Sequence, residues 1–440
     1  MAEVGGHVIR LLGVAVPLYL SMAAASASAM VSSAALGRYR TLALAAFAAA
    51  GAVYSPAVAT ITGAVRGSMP FIAEAREDPG RLRAVLHDAL WLALAVGALG
   101  TGAVLSVPVL AAGIGIPREV LASLGALPVL LAAAVGVAAV TAVAISALVS
   151  LHRPRPVLYS GLAAAGTSAA LALLLVPGAG PLPPFGAAGA GAAILSSQVV
   201  SAVIAGGALR AELARRPGVS SRARRPVTRE VARQARVGVP MAGTVLVKFG
   251  VLGLATLAAS RISAAAGAAH NVALALVGIT FSFAVAVGQA LIPLLSAGGA
   301  TTPTRRGAMR AAIAVSSVAL VLFGAILVSA RQPIAAVFTR DGQVLAILTQ
   351  IIPIVAVSIL LDGVQAVFGF GLTALKRSSV SFMIFSLVYG ALALACFPAA
   401  ARFGMRGVWA AIAAANALAA AGQYLTFSRA VVQVKKYRTR

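Results

Sequence analysis

Two side chains of opposite charge lie deep in apolar sequence, and they are the place to look for chemistry. Asp362 is the sole charge among the 34 residues that separate Asp341 from Lys376. A helix rises about 1.5 Å per residue, so this run outreaches the roughly 30 Å hydrocarbon core of a bilayer. A carboxylate at such depth costs about 2.5–3.5 kcal/mol on insertion scales, and such residues usually mark ion or substrate pathways. The plainer alternative is an Asp held by neighbouring hydroxyls or a lysine, present only to pack helices. Lys248 is the other deep charge, twelve residues beyond Arg236 and thirteen before Arg261. In helices, Lys248 lies roughly 18 Å from Arg236 and Asp362 roughly 21 Å from Lys376. Buried charges find partners, so two opposite charges at matching depth are expected to pair.

Such a pair can act as a switch. Burial disfavours the charged form of either group, whereas a nearby opposite charge favours it. A proton arriving at Asp362 would neutralise it and strand Lys248, and a cationic substrate could compete with Lys248 for the carboxylate. Secondary candidates for the substrate cavity are Thr244, one turn before Lys248, and Gln365, one turn after Asp362. Asn271, Gln289 and His270 join them from one further run. For each, hydrogen bonding between helices is the competing role. The hydroxyls Ser21, Ser26, Ser28, Ser32 and Ser33 suit close helix packing first and cavity lining second.

The elements that must carry these residues follow from composition. Of 440 residues, 60% are hydrophobic and 10% charged, and the mean hydropathy is +0.98; average soluble usage is about 25% charged. The fold class expected is an all-α polytopic membrane protein. Apolar runs bounded by basic or Pro/Gly breaks give twelve spans, near 11–36, 42–65, 84–107, 121–151, 157–177, 187–208, 237–259, 267–296, 311–330, 343–375, 379–400 and 404–428. Pro17, Pro128, Pro240, Pro293 and Pro353 are expected to kink their helices. The run from Leu11 to Leu36 is longer than a 7–15-residue signal core and reads as a span that stays.

The net charge of +25 marks topology rather than nucleic-acid binding, because the basic residues sit between the apolar runs. The N-terminus, even-numbered loops and C-terminus hold 26 basic residues against 8 in the odd-numbered loops. Both termini are therefore expected in the cytoplasm. Residues 209–236 form a basic linker between lobes 1–208 and 237–440, and its run Arg222–Pro226 suits cytoplasmic retention near anionic headgroups. Single Cys396 and four dispersed histidines offer neither a disulfide framework nor a metal set. Paired carboxylates for metal-dependent chemistry and a phosphate-binding glycine-lysine loop are both missing from the sequence, which argues against an enzyme or ATP drive.

The halves look related. Phe185-Gly186-Ala187-Ala188-Gly189 and Phe403-Gly404-Met405-Arg406-Gly407 open the sixth and twelfth spans, and Val16-Pro17 and Val239-Pro240 the first and seventh. Arg38 follows Pro17 by the interval that separates Arg261 from Pro240. Six spans per half make the repeats parallel about an axis normal to the membrane, and two bundles flanking a cavity suggest alternating access.

The second half resembles the multidrug and toxic compound extrusion (MATE) family. The residues that carry the resemblance are Gly238-Val239-Pro240, Ala268-Ala269-His270-Asn271, Phe338-Thr339-Arg340-Asp341, Leu361-Asp362-Gly363-Val364-Gln365-Ala366-Val367 and Phe403-Gly404-Met405-Arg406-Gly407-Val408-Trp409. The first half fits more loosely, through Val16-Pro17, Leu36-Gly37 and Gly67–Pro70–Ala73. The resemblance implies two six-helix bundles forming a V-shaped exporter of bulky, often cationic compounds, driven by inward proton or sodium flow. It places Asp362 on the family's acidic coupling residue. Two departures stand out: only Ala and Ser occupy 27–29 where many members have an acidic residue, and Lys248 stands where many have a Glu. A fixed ammonium beside the carboxylate would repel sodium, which favours protons and opens the site to anionic or zwitterionic substrates.

The expected function is proton-coupled export of a small organic compound from a bacterial cytoplasm, by a monomer in the inner membrane, with Asp362 and Lys248 as its ion-coupling centre and no cofactor or metal. A lipid-linked precursor flippase of the same superfamily is one rival, and it would want several deep Arg or Lys. A non-transporting membrane scaffold or receptor is the other.

Overall fold

The computed structural model of the chain describes residues 2–178, 182–216, 227–297 and 301–433. Helices α1 (Ala2–Tyr39), α2 (Thr41–Arg66), α3 (Met69–Ala75), α4 (Pro79–Leu105), α5 (Val107–Gly113), α6 (Arg118–Leu124), α7 (Leu127–Ser150), α8 (Pro154–Leu175) and α9 (Gly186–Ala214) precede the basic stretch. After it come α10 (Thr228–Ile262), α11 (Ala264–Ser296), α12 (Thr302–Ser329), α13 (Arg331–Phe338), α14 (Gly342–Ala374) and α15 (Ser378–Gln433). The described residues contain no β-strand. Among the described residues, eleven helices are long and apolar enough to span a membrane. The last, α15, breaks at Gly404 (φ 59°, ψ −147°) into arms 378–403 and 405–433, which brings the spans to twelve. The chain is an all-α, multi-span membrane protein.

Two expectations at the level of elements need correction. The fourth span does not begin at 121: residues 118–124 form the separate α6, and α7 starts at Leu127. Pro128 therefore lies in the first turn of α7, where a missing N–H breaks no bond and no kink follows. Pro17, Pro240, Pro293 and Pro353 do lie inside α1, α10, α11 and α14. The stretch 209–236 is helical at both ends, since α9 runs to Ala214 and α10 begins at Thr228. Its run Arg222–Pro226 lies outside the described residues.

Helix starts account for several acidic residues. The Asp78 carboxylate accepts from the Gly80 and Arg81 amides at 3.0 Å each and caps α4. Asp341 caps α14 through Gln343 (2.8 Å) and Val344 (3.2 Å). A carboxylate there satisfies otherwise orphaned N–H groups and meets the positive end of the helix dipole. Buried Glu212, near the end of α9, is held by Arg153 (3.1 Å) and Arg216 (2.9 Å). Arg216 also donates to the Arg76 carbonyl at 2.6 Å, and Arg83 donates to the carbonyls of Leu213 and Arg216.

The contacts divide the chain into two compact units, Pro17–Ala242 and Met1–Val16 with Gly243–Arg440. In the first, Leu36, Ile61, Ile72, Leu82, Leu127 and Leu131 centre a core. Lipid tails are as apolar as Leu, so helices in a bilayer associate by close packing of small residues. Gly67 and Gly238 meet backbone to backbone, and a Cβ on Gly238 would run into the Ala64 carbonyl. In the second unit, Ile351, Ile352, Ile359, Phe385, Tyr389 and Trp409 lie in the core. There α14 is the central helix, packed against α11, α12 and α15.

The repeat has a physical basis. Gly186 (φ 54°) and Gly404 (φ 59°) both take the left-handed conformation that a side chain resists. Three residues on, Cβ atoms on Gly189 and Gly407 would stand 2.7 and 2.5 Å from the carbonyls of Leu175, the last residue of α8, and Ala399, in the last turn of the arm 378–403. A second match lies at Leu148-x-x-Leu151-His152-Arg153 and Leu372-x-x-Leu375-Lys376-Arg377. His152 (φ 58°) and Lys376 (φ 59°) are both left-handed. Arg153 N–H bonds the Leu148 carbonyl and Arg377 N–H the Leu372 carbonyl, each at 2.8 Å. These are paired helix-ending motifs of the Schellman type.

Candidate functional site

Asp362 sits midway along α14, and the residue next to it is closely packed. A Cβ on Gly363 would run into Leu320 of α12 and stand 3.5 Å from Ala284 Cβ of α11 and Ser316 Oγ of α12. Three helices converge at this level, and the Asp362 side chain is 4% exposed. From α10, Lys248 reaches the same point. Its helix is held close to α15 by Gly243, whose Cβ would stand 2.7 Å from the Phe382 ring.

Lys248 Nζ donates to both carboxylate oxygens of Asp362, at 2.8 Å to Oδ1 and 2.7 Å to Oδ2. It also lies 3.4 Å from the ring centroid of Phe281 on α11. The Lys248 side chain is 16% exposed. Charge-assisted bonds of this length are the stronger kind, and the ring face adds cation–π attraction of about 0.5–2 kcal/mol. The expected pair forms, with an aromatic third member that the sequence did not announce.

Two hydrogen-bonded sets flank the carboxylate along α14. Tyr389 Oη donates to Asn416 Oδ1 at 2.7 Å, and Asn416 Nδ2 reaches Ser358 Oγ at 3.4 Å. The Tyr389 ring stacks on Phe385 with centroids 3.9 Å apart. One turn beyond Asp362, Gln365 Nε2 donates to Gln423 Oε1 (3.1 Å), and Gln423 Nε2 donates to Ser381 Oγ (3.0 Å). Ser358, Asp362 and Gln365 face one way at helical spacing, and Asn416 and Gln423, seven residues apart, answer from α15.

The remaining candidates disperse. Gln365 belongs to this frame. Thr244 is half-buried on α10, and Gln289 is buried toward the end of α11. Asn271 is exposed, near the other end of α11. His270 is fully buried, its ring 5.3 Å from that of Trp409, and among the described residues neither ring nitrogen has a hydrogen-bond partner. Ser26, Ser32 and Ser33 each donate to the carbonyl four residues back, and Ser21 packs where a side chain on Gly161 would fall. These hydroxyls fit helix packing. Among the described residues no three His, Cys, Asp or Glu side chains gather as a metal set.

Comparison with known proteins agrees with this architecture. The MatE family model matches residues 240–397, the stretch that contains Lys248, Phe281 and Asp362. In its second half the chain is similar to the MatE family. A probable multidrug resistance protein NorM of Aromatoleum aromaticum is 27% identical over 369 residues, covering 82% of this chain and 79% of that protein. One from Deinococcus radiodurans is 29% identical over 455 aligned positions, covering 96% and 95%. Among solved structures, the Vibrio cholerae MATE transporter VcmN in its bent form superposes with a TM-score of 0.87 at 17% identity, covering 99% of this chain and 100% of that one. The eukaryotic MATE transporter AtDTX14 gives 0.86 at 15% identity, with 99% of each chain covered. At that identity the structural likeness speaks for the fold.

Proposed function

We propose that this chain exports small, bulky organic compounds across a bacterial cytoplasmic membrane as a proton antiporter working by alternating access. The observation that carries the reading is the Lys248–Asp362 pair, closed in both carboxylate oxygens within the spans of one unit. Protonation of Asp362 removes the negative charge that holds Lys248 and leaves an ammonium short of a partner, a state that costs several kcal/mol unless the helices rearrange. The pair thus links proton occupancy to the packing of α10 against α14. Sodium is the poorer driver, because the ammonium already sits on the carboxylate.

In this reading the chain works as a monomer with both termini in the cytoplasm, supported by the excess of Lys and Arg in the even-numbered loops. Residues 209–236 join lobes 1–208 and 237–440 on the same side. Thr244, Gln365, Asn271, Gln289 and His270 remain the cavity candidates, of which Gln365 is tied most directly to the charged centre. Lys248 also favours a second substrate class: once released from Asp362, its ammonium could receive a carboxylate or phosphate of an anionic or zwitterionic compound. A lipid-linked precursor flippase is less well supported, since Lys248 is the one basic residue deep in the spans.

The test is reconstitution into liposomes with an imposed pH gradient and a panel of cationic, neutral and anionic compounds. Gradient-dependent movement of any member supports the antiporter. Failure across the panel favours a scaffold or receptor.

A further inference from the structure

Around Lys248 Nζ the protein supplies two carboxylate oxygens, at 2.8 and 2.7 Å, and the face of Phe281 at 3.4 Å. Each feature selects. Two oxygens are too few for a hard metal cation, which gathers about six or more. A quaternary ammonium suits the ring face but has no N–H to give the oxygens. A primary ammonium satisfies all three contacts. We propose that Asp362 and Phe281 form a primary-ammonium site whose resident ligand is the chain's own Lys248. The transporter's charged centre is therefore filled from within and takes up no soluble cation while Lys248 is in place. A ligand tethered by its own side chain acts at high effective concentration, so free amines at millimolar levels do not displace it.

The physiological meaning rests on the reading of this pair as the transport centre, but the site itself can be tested apart from transport. Lys248→Ala removes Cγ, Cδ, Cε and Nζ, three carbons and an ammonium, which n-propylammonium replaces. Thermal unfolding of the purified full-length protein in detergent is followed against n-propylammonium chloride, with tetramethylammonium chloride and sodium chloride at matched ionic strength. The expected result has four parts. Wild type shows no response beyond that to salt. Lys248→Ala unfolds at a lower temperature and gains several degrees, saturably, with n-propylammonium. Tetramethylammonium and sodium give it no such gain, and Lys248→Ala with Asp362→Asn responds to none of the three. An equal response to tetramethylammonium or sodium, no response of folded Lys248→Ala, or a response that survives loss of the carboxylate would overturn the proposal. Should Lys248→Ala be recovered poorly, the readout becomes the yield of monodisperse protein when extraction contains each salt. Rescue by n-propylammonium alone supports the site, and rescue by none or by all of them contradicts it. No gradient enters this measurement, so a failure of the antiporter reading would leave its result standing, and the reverse.

Discussion

Removing one partner of a buried ion pair leaves the other charge without water or counterion, a loss of about 3–5 kcal/mol, whereas replacing both with apolar side chains is often neutral. Lys248→Met should therefore destabilise the protein by about that amount, and Lys248→Met with Asp362→Leu should recover most of it, as read by unfolding temperature in detergent. A double variant no more stable than the single one would mean that the pair contributes more than it costs to bury. Phe281→Ala should act in the same direction by about 1–2 kcal/mol, the sum of a partial cavity and the lost ring face. The charged pair was legible in the sequence because charges in apolar runs are rare and their depths could be matched from flanking arginines. Phe281 was not legible, since one Phe in an apolar helix looks like any other. Asn416 and Gln423 left a signal that went unused, two amides seven residues apart in the last span.

Helices pack here through small residues, so a methyl group matters most where backbones touch. Gly238→Ala should prevent folding or cost more than about 2 kcal/mol, because the new Cβ meets the Ala64 carbonyl and backbone has little room to move. Gly253→Ala, in the same helix with open space around it, should be tolerated and gain up to about 1 kcal/mol from helix propensity. Comparing expressed, monodisperse protein for the two variants checks this, and equal tolerance would contradict the close approach of α2 and α10. The apolar runs located the long helices but not all of their starts: α10 and α12 begin at Thr228 and Thr302, nine residues ahead of the spans at 237 and 311, and carry arginines inside them. The fourth span failed because residues 121–124 and α7 are both largely apolar and only Gly125 (φ 45°) and Ala126 separate them. The Phe-Gly repeat was visible as letters, but its cause lies in backbone geometry: a left-handed glycine, then a second glycine against a carbonyl. The parallel His152 and Lys376 turns were missed because a left-handed residue that is not glycine carries no compositional mark.

At the scale of the molecule, the distribution of Lys and Arg predicts which loops face the cytoplasm. In a Cys396→Ser background, Arg340→Cys should react with a membrane-impermeant maleimide in intact cells, and Arg306→Cys should react only after the membrane is opened. Both positions are exposed, so a reversed pattern would overturn the orientation. In the proposed antiporter, Asp362 couples proton flow to export. The direct test is uptake or efflux of a dye such as ethidium in liposomes holding equal amounts of wild type or Asp362→Asn. Dye movement is driven either by a pH gradient or by the dye's own gradient. We predict that wild type concentrates the dye under the pH gradient, and that Asp362→Asn loses this while still passing dye down its own gradient. Undiminished gradient-driven accumulation by Asp362→Asn would contradict the claim.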